Sequence, residues 1–540
     1  MKSMTAIVIA LALTWHGCAS DEKIELFDGD TDTQEDTADD PATDRDVVIP
    51  DAEDEEYVDP TSCAEAAYRH TYIGCDFWPT ILPNVVGEWF DYAVVVSNTS
   101  AETAEILIER DGAMIDSGTV PPSGLTKFFL PWVAELKHWT GMCDTDPGGD
   151  GGPLYSKRVP GGAYHLTSTQ PVTVYQFNPI EYGPQGGPAG KDWGGCDCMF
   201  GCNSYTNDAS LLLPSTTATG NYRITAPAGQ NSEDVKQPGY FSVTGIQDGT
   251  LVKVKVAPEG EVAGGDDIPA AGPGAIFEFT IDRGEVVRIA GTNTTDLSGS
   301  VLNAGSPILV MSGAPCHYMP DEYGACDHME ESVFPAESLG SHYFVAVPTN
   351  ARGVPIGHVV RLYGNEDGTT VYYPSGPPTA DAPTTLTAGR VYDLGIVDED
   401  FEIVGDKSFA VTSFLLGSGL SDPGHLLDYK GDPAQSNVLP VEQYRENYVF
   451  LAPDDYDFSF ADVVMPDGTQ VLLDGIAIAV PATPISSGYS VLRIDVSMGG
   501  AHTLDADAPV SLQVMGYGFA TSYHYPGGGN MQRITAPPLI

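Results

Sequence analysis

From Ser62 onward the chain alternates short β-branched and aromatic runs with clusters of Gly, Pro, Asn and Asp. Apolar and polar positions exchange with a period of two, the pattern of strands that bury one face. Helical periodicity is sparse. PWVAELKHW (131–139) is the best helix candidate, with Trp132, Leu136 and Trp139 on one face. Two packed antiparallel sheets are the natural way to bury the inward side of such strands.

The pattern repeats. LLLPSTTATGNYRITAP, VFPAESLGSHYFVAVP and LPVEQYRENYVFLAP each hold a proline, a tyrosine eight residues on and a second proline five beyond it: Pro214, Tyr222, Pro227; Pro335, Tyr343, Pro348; Pro440, Tyr448, Pro453. A spacing kept three times argues for internal repetition. The first proline is expected to end a strand, since it cannot donate to a ladder, and the tyrosine to open the next with its ring inward and its hydroxyl at the edge. Asp-Gly-Thr follows each copy, at Asp248, Asp367 and Asp467, and reads as a hairpin turn. VVVSNTSAETAEILIER reads as the same hairpin with a longer turn. A third landmark closes each unit, with a turn, a small residue or proline (Pro171, Pro307, Ser408, Pro509) and then an alternating strand.

The expected fold is therefore all-β, with about four tandem antiparallel sandwich-like units at 62–206, 207–331, 332–436 and 437–540, the first enlarged by a Cys-rich insertion at 131–202. A propeller or single β-rich superdomain is the second choice.

The N-terminus differs. MKSMTAIVIALALTWHGCAS has one lysine, an apolar run from Met4 to Trp15 and then small residues, which reads as a secretory signal over 1–18. Gly17-Cys18-Ala19-Ser20 resembles a lipobox, making Cys18 the expected lipid attachment site; ordinary cleavage near Ser20 is the alternative. Residues 19–60 hold 18 acids and two bases and so are expected to form a disordered linker (19–61). Stretched, such a tether reaches on the order of 140 Å; as a coil it spans about 40 Å.

The net charge of −51, from 75 acids and 24 bases, argues against nucleic-acid and acidic lipid partners. Any membrane association is expected through the lipid anchor alone. With Cys18 set aside, eight of the nine cysteines remain, an even set suited to an oxidising compartment. Cys316 and Cys326 read best as a disulfide, although with His317 and His328 they could instead hold zinc. Cys63 and Cys75 bracket a similar loop. Cys143, Cys196, Cys198 and Cys202 lie in the insertion with three pairings open. Each bridge is worth about 2–4 kcal/mol. Asp144, Asp146 and Asp150 in DTDPGGDGG are the calcium candidates, but the EF-hand order and closing Glu are missing, so a solvated turn is preferred and no cofactor is expected. G-x-S-x-G, H-E-x-x-H, P-loop and G-x-G-x-x-G signatures are all missing. His70, His138 and His165 have no nucleophile nearby in sequence. Glu330 and Glu331 read as surface charges, because adjacent side chains on a strand point apart.

AYHLTSTQPVTVYQFNPIE followed by CNSYTNDASLLLPSTTATGNYRI resembles the IgGFc-binding protein N-terminal domain family. CDHMEESVFPAESLGSHYFVAVP and the closing VMGYGFATSYHYPGG resemble it too, so the likeness spans roughly 65–530. Ser332-Val333-Phe334 and Glu337-Ser338-Leu339 depart from the Gln-, Pro- and Trp-bearing versions of that motif. The resemblance implies an extracellular β-rich binding or adhesion module and transfers no ligand-contacting residue. The expected role is a lipid-anchored protein of a bacterial envelope, at the outer membrane or cell surface, that binds an extracellular protein or glycan. A secreted hydrolase acting on polysaccharide and a purely structural envelope protein are the alternatives.

Overall fold

The recurring proline opens a turn, and the recurring tyrosine then pins a strand where it changes sheets. In the computed structural model, which describes residues 59–87, 89–137, 154–184, 187–196, 201–232, 236–320, 326–425 and 428–540, the carbonyls of Pro214, Pro335 and Pro440 each accept the N–H three residues on, at 2.9–3.0 Å. The strand that follows carries the tyrosine. The Tyr222 hydroxyl donates to the Ile308 carbonyl (2.6 Å), Tyr343 to Phe409 (2.5 Å) and Tyr448 to Val510 (2.5 Å). Each acceptor comes one residue after Pro307, Ser408 or Pro509. All three rings are buried, as alternation predicts.

These positions mark a strand shared by two sheets. In the second repeat, Val301–His317 pairs through its first half with Thr219–Arg223 and Thr250–Lys255, and through its second half with Tyr240–Gly245 and Asp327–Ser332. His165–Phe177 and Gly500–Gly518 do the same in the first and fourth repeats. In the third the strand breaks at Ser408 into Phe401–Gly405 and Phe409–Leu415, one in each sheet. Proline suits the crossing because a residue between two ladders needs no N–H partner. The two sheets of the second repeat bury one core that includes Tyr222, Phe241, Val252, Phe279, Ile289 and Val310. The architecture is nearly all β and antiparallel, as the alternation predicts.

The Asp-Gly-Thr segments overturn one expectation. They are not hairpins. Tyr240–Gly245 and Thr250–Lys255 flank the first copy without pairing to each other, and each joins a different half of Val301–His317. The second and third copies, and the longer loop between Tyr92–Asn98 and Ala104–Arg110, make the same crossover. Locally the turn is as expected: Gly249, Gly368 and Gly468 take φ of 68°, 66° and 91°. Thr250, Thr369 and Thr469 return a hydroxyl hydrogen bond to the carbonyl three residues back. Turn chemistry fixes the reversal of direction, not which sheet receives the next strand. The helix candidate is a single turn, Ala134–Lys137, with Leu136 buried.

The repeats form one compact body rather than separate beads. The core of the fourth takes in Ala93, Val95 and Tyr175 of the first, Leu211 of the second and Phe344 and Tyr363 of the third. Lys157–Val159 of the insertion adds a strand to the sheet of the second repeat.

Removing one hydroxyl by Tyr343→Phe is expected to leave the Phe409 carbonyl unpaired at the crossing and to lower stability by about 1–3 kcal/mol. Urea unfolding measures this; a midpoint equal to that of the parent would show that the bond does not hold the crossing.

Candidate functional site

Four short closing strands, Ala209–Leu212, Asp327–Ser332, Gln435–Asn437 and Thr521–Pro526, pair with the second half of His165–Phe177, the second half of Val301–His317, Phe409–Leu415 and the second half of Gly500–Gly518. Each closing strand meets the next in chain order, and the fourth returns to the first. Both faces are therefore covered, and every residue in these four strands is buried.

Asp208 is the hub of this ring. Its Oδ2 accepts the N–H of Glu330 (3.1 Å) and of Gln435 (3.0 Å), and its Oδ1 accepts the N–H of His524 (3.2 Å) and of Ala209 (2.8 Å). One carboxylate thus takes a main-chain donor from each of the four closing strands. Burial pushes its pKa well above the carboxylate range, against the pull of those N–H groups. Asp327, Glu331 and Asp432 are pushed up for the same first reason. Burial pushes His358 and His524 down to about 3, with His358 adding to the effect on His524.

Glu330 and Glu331 are therefore not surface charges; both are 0% exposed. Glu330 accepts from Gln176 and Ser210 at Oε1 and from Asn178 at Oε2, where His328 Nε2 also lies at 3.1 Å. Glu331 accepts the Ser332 N–H at 2.7 Å. Alternation does put the two on opposite faces, but a neighbouring repeat covers each face. No solute reaches either group, so neither serves as an acid or base toward a substrate in this state.

Three disulfides are present among the described residues: Cys63–Cys75 and Cys316–Cys326, as expected, and Cys196–Cys202, from the set whose pairing the sequence left open. The last removes the zinc alternative; His317 turns Nδ1 to the Tyr318 carbonyl and His328 turns to Glu330. Cys18, Cys143, Cys198, His138, Asp144, Asp146 and Asp150 lie outside the described residues. His70 contacts the Thr216 carbonyl. His165 pairs with Asp76 at 2.7 Å and stacks on Trp78, with ring centroids 4.2 Å apart. Among the described residues no group of three or more His, Cys, Asp or Glu side chains is placed to hold a metal ion. No helix there is long and apolar enough to cross a membrane.

The outer surface carries an open cleft of about 610 Å³ where the first repeat and its insertion meet the second. Asp111, Arg158, Asp266, Asp267, Asp282, Arg283 and Glu285 line it. Arg158 is held by Glu285 at 2.9 Å, and the Arg283 guanidinium lies 5.2 Å from the Trp78 ring centre. Five carboxylates against two guanidinium groups leave the cleft anionic. Sequence reading missed it, because its residues come from three separate stretches.

A family model described as IgGFc binding protein matches residues 208–516. The human IgGFc-binding protein is 24% identical over 338 residues, covering 62% of this chain but only 6% of its own length. Two solved structures overlap weakly, each at a TM-score of 0.11: an anti-sigma factor domain-containing protein from Clostridium clariflavum (10% identical; 59% of this chain, 92% of that one) and an alfa-L-rhamnosidase from Aspergillus terreus (9% identical; 70% and 50%). At that score neither carries an argument.

Replacing Asp208 by Ala is expected to strand four buried N–H groups and cost at least about 3 kcal/mol, while Asn, keeping one acceptor oxygen, costs less. Urea unfolding of both variants checks the order. A second expectation concerns pH. His358 and His524 stay neutral in the fold to about pH 3, but take up protons near pH 6.5 when unfolded. Their contribution is complete above that value and is lost as pH falls toward 3. The buried carboxylates act oppositely, favouring the fold at low pH. A His358→Gln, His524→Gln double variant should lose less stability than the parent between pH 6.5 and 4.

Proposed function

This chain belongs to the IgGFc-binding protein family, and from that premise we propose that it is an exported binding protein whose outer surfaces hold an extracellular protein ligand. The family match over 208–516 carries the reading. The arrangement of acids supports it: the ionisable groups of the hub are sealed inside, while the anionic cleft faces solvent. That cleft is the proposed contact surface, and its charge suits a ligand presenting Lys or Arg. Glycan is the second ligand class, and hydrolysis of polysaccharide or a purely structural role are the readings this one displaces. The division of residues 62–540 into four units belongs to the same proposal, as does attachment to a bacterial envelope through acylated Cys18.

Immunoglobulin Fc is the first probe, because the human relative is named for that binding; a panel of secreted proteins and glycans follows. Saturable binding that weakens with salt, and is lost in an Asp266→Lys, Asp267→Lys variant of unchanged stability, is the expected result. No binding above background across the panel, or binding that ignores the charge reversal, overturns the assignment of the cleft. For the anchor, the parent is expected to partition with membranes and a Cys18→Ser variant to be released; equal partitioning removes the lipid.

A further inference from the structure

Lys191 follows the turn at Pro188, whose carbonyl accepts its N–H at 3.1 Å. Its Nζ lies 2.5 Å from Asp91 Oδ2 and 2.9 Å from Glu181 Oε1. The three residues come from two places: Asp91 at the start of Tyr92–Asn98, and Glu181 and Lys191, ten residues apart, in the segment after His165–Phe177. The site is partly enclosed: the Glu181 side chain is 0% exposed, that of Lys191 14% and that of Asp91 29%. Trp193 covers Nζ at 4.1 Å from its ring centre, and Phe90 packs on Trp193 at 5.5 Å. The Glu181 carboxyl and the Asp91 main chain are held in place: Glu181 Oε2 accepts the Asp91 N–H at 2.8 Å, and the Asp91 carbonyl accepts the Ile180 N–H at 3.0 Å.

An amine against one carboxyl, with a second and more deeply buried carboxyl touching the amine, is the arrangement an amide-forming condensation needs. We propose that Lys191 and Asp91 join in an intramolecular isopeptide bond, with Glu181 as proton relay. Glu181 takes a proton from the Lys191 ammonium, and the freed amine attacks Asp91 Cγ. The Nζ–Cγ bond forms, and Glu181 passes the proton to the departing oxygen. The second ammonium proton follows by the same route, the Cγ–O bond breaks and one water leaves. No oxidant or co-reactant is needed. Burial pushes Glu181 up, to about 7, against its hydrogen bonds from Lys191 and Asp91, so it can accept and return a proton near neutral pH. The Lys253–Glu278 contact shows the contrast: at 3.1 Å, its side chains are 42% and 47% exposed and open to water. The bond would staple the insertion to the first repeat, closing a covalent loop from residue 91 to residue 191.

The test is mass spectrometry of the reduced, full-length chain, intact and after proteolysis. The expected parent is lighter than its sequence by one water and yields a branched peptide joining the Asp91 and Lys191 segments. Glu181→Gln and Lys191→Arg are expected to keep the full mass and release two linear peptides. Asp91→Asn is expected to lose ammonia instead and arrive at the parent's cross-linked product. A parent of full mass, with both segments recovered as linear peptides, overturns the proposal without any variant. Loss of water in Lys191→Arg would also overturn it, because a cyclised aspartate would then explain the mass.

Discussion

Four strands that turn inward and are covered on both faces must satisfy their main-chain donors without water. Asp208 meets that constraint at the centre: its two oxygens take N–H groups from Glu330, Gln435, His524 and Ala209. A carboxyl has the lone pairs for four donors, which no hydroxyl or single carbonyl offers. Its own burial is costly, and the main-chain dipoles offset that cost. The bonds also fix register, since a slip by one residue in any of the other closing strands would turn its N–H away. No repeat can therefore finish its interior alone.

Ring closure adds a second dependence, on Arg445. This residue is 1% exposed, and its guanidinium binds Thr71 and Asn530 and pairs with Asp59. Tyr72 joins the same seam, accepting the Val449 N–H, while the Tyr175 hydroxyl donates to the Val449 carbonyl. An arginine suits the place, because its planar fork carries several directed donors and a charge that does not titrate. The first repeat thereby meets the fourth through polar groups as specific as those at the hub.

The sequence made the repeat visible because a proline, a tyrosine and a turn glycine each answer to local geometry, and local geometry leaves residue-level marks. What it concealed was partnership between distant segments. Asp-Gly-Thr states a reversal of direction but not the sheet that follows, so a crossover reads as a hairpin. Glu330 and Glu331 look like solvent-facing acids because alternation assumes one wet face, whereas their strand has none. Asp208 stands in an unremarkable polar stretch, and nothing near it in sequence names the three strands it serves. The triad of Asp91, Glu181 and Lys191 is hidden for the same reason, since Asp91 lies 90 residues from Glu181 and 100 from Lys191.

Charge separates interior from exterior. Most of the 75 acids lie outside the hub, so the formal charge of −51 is carried mainly by the acidic N-terminal segment and the outer surface. At physiological ionic strength such a field extends about 8 Å from the surface. It therefore repels anionic surfaces and concentrates cationic ones only at close approach. A cleft with five carboxylates sharpens that field where it is concave, because low-dielectric walls focus it. Recognition built this way gains speed and selectivity from charge, while affinity has to come from the apolar and hydrogen-bonding groups the ligand supplies. A rigid body serves such recognition well: with the hub and seam fixing the repeats against one another, the cleft between the first two keeps its shape before a ligand arrives, and little ordering entropy remains to oppose binding.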